Sequence, residues 1–128
     1  MTLRGSVLRV LVVENEPLLR ALVEELVLGL GHRIAGRASS AQCAIAEVER
    51  TRPDVVLMDI ELNGAEDGIY AACKIRDQFG IPSVFMTGRT DLDTNERALL
   101  ARPLAYLVKP VSLAHLTEAL CRVSANDR

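Results

Sequence analysis

A chain of 128 residues is long enough to bury a hydrophobic core without disulfides or a structural metal, and a single domain over residues 1–128 is expected. Hydrophobic residues make up 49% and charged residues 25%, which excludes a disordered tail. Fifteen basic against seventeen acidic residues, with no basic cluster interleaved with aromatics, argue against direct nucleic-acid binding.

The first apolar run, VLRVLVV at 7–13, is nearly continuous, as in a strand covered on both faces. It is interrupted by Arg9 and followed by acids, so it reads neither as a secretion signal nor as a membrane span. A cytoplasmic protein without membrane contact is expected. PLLRALVEELVLGL then takes up a helical period, with Pro17 suited to a first helical position and Gly31 to a stop. HRIAGRA at 32–38 alternates weakly and suits an edge strand. SSAQCAIAEVERT has a capping-box spacing from Ser39 to Gln42 and puts Cys43, Ile45, Ala46 and Val48 on its apolar side.

VVLM at 55–58 is the next strong strand, followed by a helix from about Gly68 to Phe79 with Ile69, Ala72, Cys73 and Ile75 inward. Gly80 and Pro82 break that helix before SVFM at 83–86. DLDTNERALLA, the strand AYLV at 105–108 and the helix SLAHLTEALCRV complete the chain. Cys43, Cys73 and Cys121 are odd in number and far apart, lacking the paired spacing of zinc or redox sites, so buried free thiols are expected.

Strands alternating with helices predict an α/β fold: a flavodoxin-like (βα)5 doubly wound parallel sheet of strand order 2-1-3-4-5. In such sheets ligands sit beyond the carboxyl ends of the strands, where the winding reverses. The first polar residues after the four strong runs are Glu14 and Asn15, Asp59, Thr87, and Lys109. Two carboxylates suit magnesium, a hard cation that shares its coordination sphere with phosphate oxygens. Asp59 can act as a nucleophile on phosphorus, Lys109 can offset the repulsion between two anions, and Thr87 can donate to a bound phosphoryl group.

LVVENEP, PDVVLMDIELNGAEDGI, VFMTGR and AYLVKP, in that order and over nearly the whole chain, resemble the receiver domain of two-component response regulators, the single-domain chemotaxis-regulator type included. The resemblance implies that Asp59 accepts phosphate from a histidine kinase or phosphotransfer protein. It implies that Glu14, Asn15, Asp59 and the backbone carbonyl of Glu61 hold Mg2+, and that Lys109 pairs with the phosphoryl oxygen. Thr87 and Tyr106 match the family's switch pair, a cis Lys109–Pro110 bond is implied, and output leaves through the face of helix 4, strand 5 and helix 5, with Arg89, Leu92, Arg97, Tyr106 and His115 as candidates. Asn15 departs from the pattern, since receivers usually carry a second acid there; one charge fewer weakens magnesium binding. Gly88 after Thr87 is similar to a branch of single-domain receivers with a Phe-x-Thr-Gly signature.

Each residue also has a plainer reading. Asn15 or Glu16 could cap the first helix, Asp59 could be a loop residue, Thr87 a strand filler, Lys109 a solvated strand end and Tyr106 a partly buried core residue. His32 and His115 lack a ligand pattern, and Glu61, Glu66 and Asp67 read as a solvated loop. Three rival functions stand beside the phosphorylated switch: a pseudo-receiver working by protein contacts alone, a receiver cut from a longer regulator or hybrid kinase, and a flavin carrier, for which the chain has no tryptophan and only four aromatics.

Overall fold

A computed structural model describes residues 6–88 and 92–126. In chain order the elements are β1 (Arg9–Val13), α1 (Pro17–Gly29), β2 (Arg33–Ala38), α2 (Ala41–Thr51), β3 (Val55–Asp59), α3 (Gly68–Phe79), β4 (Ser83–Thr87), α4 (Leu92–Leu99), β5 (Ala105–Val108) and α5 (Leu113–Asn126). All strands pair in parallel, in the order β2-β1-β3-β4-β5, and β2 is an edge strand as expected.

The continuous apolar runs exist because both faces of the sheet are covered. Leu11, Val13, Val56, Met58 and Phe85 point to one side and pack on Ala41, Ala44 and Val48 of α2, Ile69, Ala71, Ala72 and Ile75 of α3, and Ala98 of α4. Val10, Val12, Val55, Leu57, Val84 and Met86 point to the other and meet Val23 and Val27 of α1 and Leu116, Ala119, Leu120 and Val123 of α5. Alternate residues therefore serve opposite layers, which is the two-residue period of a strand made invisible by double burial. The chain runs from β1 outward to β2 and then back across to β3, so the winding reverses between β1 and β3.

Helix ends follow local chemistry. Pro17 opens α1, and Gly31, at a φ of 92°, turns the chain in a region closed to most side chains. Three local expectations shift. The cap of α2 is Ser40, not Ser39, its side chain accepting from the Cys43 N–H at 3.2 Å. That one-residue move turns Ala41 and Ala44 inward with Val48, and leaves Cys43 and Ala46 exposed. The three cysteines are free but not buried: Cys43 and Cys121 are exposed and Cys73 is half-buried, because each lies away from the centre of its helix's apolar stripe.

His32 ties the start of the sheet to the α1–β2 turn, its Nδ1 accepting from the Leu8 N–H at 3.0 Å. Burial holds its imidazole below the ordinary range. A histidine depressed in the folded state contributes stability above its unfolded value near 6.5 and loses it as pH falls through the folded one. A His32→Gln variant lacks this titration, so the melting-temperature gap between wild type and variant should narrow between pH 7.5 and 5. A gap that widens on acidification counts against this role.

Candidate functional site

Three of the four strong strands, β1, β3 and β5, continue their ladder by one backbone hydrogen bond past the strand's end. The Glu14 N–H donates to Ala38 O at 3.0 Å, the Ile60 N–H to Met86 O at 3.1 Å, and the Lys109 N–H to Thr87 O at 2.8 Å. Ladder continuity thus delivers Glu14 from β1, Asp59 from β3, Thr87 from β4 and Lys109 from β5 to the carboxyl ends of the strands. Lys109–Pro110 is the cis bond that the sequence resemblance implied.

The acids are buried to an unusual degree for charged groups, Glu14 and Asp59 each at 1% exposure. Lys109 Nζ lies 2.9 Å from Glu14 Oε1 and 3.2 Å from Asp59 Oδ1. Asp59 Oδ1 also accepts the Glu61 N–H at 3.1 Å, and Glu14 Oε2 accepts the Glu16 N–H at 3.1 Å. Two carboxylates share one ammonium. Burial, together with repulsion from Glu14, pushes the Asp59 carboxyl up to about 7, against the pull of Lys109 and the Glu61 N–H. Burial works against the charged form of Lys109 too, but Glu14 and Asp59 prevail and hold its ammonium above the usual lysine range.

The site is one positive charge short, and Asn15 fills part of that deficit. The end of its amide stands 3.2 Å from Glu14 Oε2 and 3.1 Å from Asp59 Oδ2, where an inward NH2 donates to both. A half-turn of the amide offers its oxygen to the same point. Two carboxylates and an amide oxygen are the hard-oxygen chemistry that suits a divalent cation such as Mg2+. Among the described residues no group of three or more histidine, cysteine, aspartate or glutamate side chains is arranged to hold a metal ion. Glu16 is exposed and makes no side-chain hydrogen bond that caps α1.

Thr87 is fully buried, and its hydroxyl donates to Glu61 Oε2 at 2.7 Å. Tyr106 is partly buried, its ring meeting Phe85 edge-on with centroids 6.4 Å apart. On the α4–β5–α5 face Arg97 and His115 are exposed, whereas Arg89 and the side chain of Leu92 lie outside the described residues.

The acidic loop between β3 and α3 is more than solvated surface. Besides the Glu61 bond to Thr87, Asp67 caps α3 by accepting from the Tyr70 N–H at 3.0 Å and pairs with Arg97 of α4 at 2.9 Å. Gly68, read from sequence only as a helix start, proves to support the site: its N–H donates to Ile60 O at 2.9 Å, and its α-carbon lies against the Asp59 main chain. The pair Asp67–Gly68 at a helix start was the available signal, an N-cap residue followed by one without a side chain.

A family model for the response regulator receiver domain matches residues 10–121. The transcriptional regulatory protein PdtaR of Mycobacterium tuberculosis is 38% identical over 112 residues, covering 88% of this chain and 54% of its own length. The chain thus spans about half the length of that relative. The chemotaxis protein CheY of Thermotoga maritima is 29% identical, over 91% of this chain and 97% of its own. The solved signal receiver domain of a modulated diguanylate cyclase from Desulfovibrio desulfuricans G20 superposes with a TM-score of 0.88 at 30% identity, covering 94% and 96% of the two chains.

Proposed function

This chain belongs to the family of response regulator receiver domains, and from that premise we propose that it is a phosphorylation-dependent signalling switch. Asp59 accepts a phosphoryl group from the phosphohistidine of a histidine kinase or phosphotransfer protein. One arrangement carries this reading: the buried Asp59 carboxylate beside Glu14, with the Lys109 ammonium within 3.2 Å of both.

In the transfer, an Asp59 oxygen attacks phosphorus, the P–N bond breaks, and its electron pair returns to the departing imidazole. Asp59 reacts as the anion, which a carboxyl near 7 supplies at neutral pH and above. Lys109 offsets the charge that builds on the phosphoryl oxygens, and Glu14, Asn15, Asp59 and the Glu61 carbonyl are the groups proposed to hold Mg2+. When bound, the cation supplies charge neutralisation between two anions that would otherwise repel. Thr87 and Tyr106 serve as the switch pair, and the α4–β5–α5 face carries the signal to a downstream protein. A cytoplasmic location fits the same reading, and no helix among the described residues is long and apolar enough to cross a membrane.

Incubation with acetyl phosphate and Mg2+ should slow the protein's migration on a phosphate-affinity gel, and Asp59→Asn should abolish the shift. The same variant separates charge from chemistry. A carboxyl raised in the fold contributes stability below its unfolded value near 4 and loses it as pH rises toward 7. Asp59→Asn should therefore stabilise the metal-free protein at pH 8 by about 2 kcal/mol and make no difference at pH 4. A variant no more stable than wild type at pH 8 contradicts the buried repulsion.

One observation favours a second reading. With its NH2 turned inward, the Asn15 amide donates to both carboxylates, an arrangement that suits a pseudo-receiver acting through protein contacts alone. An unshifted wild-type band under saturating Mg2+ selects that reading. Since PdtaR extends to about twice the matched length, a receiver working within a longer regulator is compatible with either.

A further inference from the structure

Glu61 reaches Asp59 and Thr87 at once. Its N–H donates to Asp59 Oδ1 at 3.1 Å, while its side-chain Oε2 accepts the Thr87 hydroxyl at 2.7 Å. A threonine hydroxyl has a single proton to give. In this state that proton points to Glu61, and a phosphoryl oxygen on Asp59 would need the same proton. The bond is short and charge-assisted, the stronger class of hydrogen bond, and Thr87 is fully buried, so no bulk water competes for it.

We propose that the Glu61 carboxylate is a positioning residue that holds the Thr87 hydroxyl in the resting arrangement and yields it only when a phosphoryl group on Asp59 outbids it. The inference rests on the phosphorylated-switch reading and deepens it. Two effects release the bond together. The phosphoryl oxygens are strong acceptors for the same proton, and their added negative charge repels a carboxylate attached to the very residue whose N–H binds Asp59. Glu61 thus sets how much phosphoryl interaction is needed to move Thr87, a two-state element biased by one hydrogen bond.

The test compares Glu61→Ala and Glu61→Gln in the full chain by the methyl resonance of Thr87, with beryllofluoride plus Mg2+ on the wild type marking the switched position. Glu61→Ala removes the acceptor, so the unmodified variant should move toward the switched position, with the switching equilibrium changed on the order of ten-fold. Glu61→Gln keeps an oxygen acceptor without the charge, so Thr87 should stay near its wild-type position. A Thr87 resonance unmoved in Glu61→Ala overturns the proposal, and so does an equal movement in both variants. The contrast between the two variants, Thr87 moving in Glu61→Ala and not in Glu61→Gln, is read on unphosphorylated protein and needs no beryllofluoride reference; a wild type that takes no phosphate would sink the phosphorylation reading and not the hold of Glu61 on Thr87.

Discussion

Lys109→Ala is expected to destabilise the metal-free protein by about 3 kcal/mol at pH 8, because it strands two buried carboxylates without the ammonium they share. Lysine and carboxylates here form one unit: Glu14 and Asp59 are 1% exposed, while the Lys109 side chain keeps 22% of its surface in contact with solvent. Burial weighs against the charged form of Lys109, but the two carboxylates outweigh it, and the ammonium in turn offsets charge that water scarcely reaches. Protonation of Asp59 limits the damage, and its direction follows from the linkage. Asp59 already sits near 7 with Lys109 present; without that cation it rises further, so the loss grows with pH and is smallest in acid. Urea titrations at pH 6 and pH 8 measure both quantities. Added Mg2+ should restore part of the stability at pH 8, since a divalent cation replaces the missing charge. Equal destabilisation at both pH values, unmoved by Mg2+, would mean that Lys109 matters for its packing and not for its charge.

Gly68→Ala is expected to cost a similar amount, about 3 kcal/mol, through sterics alone. A β-carbon at this position would overlap the main-chain carbonyl oxygen of Asp59 outright and stand 2.9 Å from its carbonyl carbon. The obstacle is backbone, so no side-chain rotation relieves it. Either the first turn of α3 backs away and loses the Gly68 N–H bond to Ile60, or the end of β3 shifts and carries Asp59 with it. The second course should also slow acetyl phosphate turnover at Asp59, whereas the first should leave the rate intact once the protein is folded. Thermal melts and the phosphorylation rate at a temperature where the variant is fully folded distinguish the two. A loss below about 1 kcal/mol would show that the close approach is slack.

These two residues mark the boundary between what could be read in advance and what could not. Lys109 was legible because it follows the apolar run AYLV, and the first polar residue after such a run has to lie at the strand's end. The same reasoning found Glu14, Asp59 and Thr87. Gly68 was legible only as a helix start behind the cap residue Asp67, since its support of the site depends on how near that start comes to the carbonyl at the end of β3.

The amino-acid sequence by itself determined the element order, the parallel doubly wound sheet and which four side chains end its strongly apolar strands, because these follow from hydrophobic period, breaker residues and the crossover rule. Tertiary structure alone decided the partners. Only the packed sheet shows that Asn15 lies between Glu14 and Asp59, that Glu61 accepts from Thr87, and that Asp67 ties Arg97 of α4 to the loop between β3 and α3. Such bonds depend on distances of about 3 Å between residues far apart along the chain, and periodicity, a property of neighbours, has no information about them.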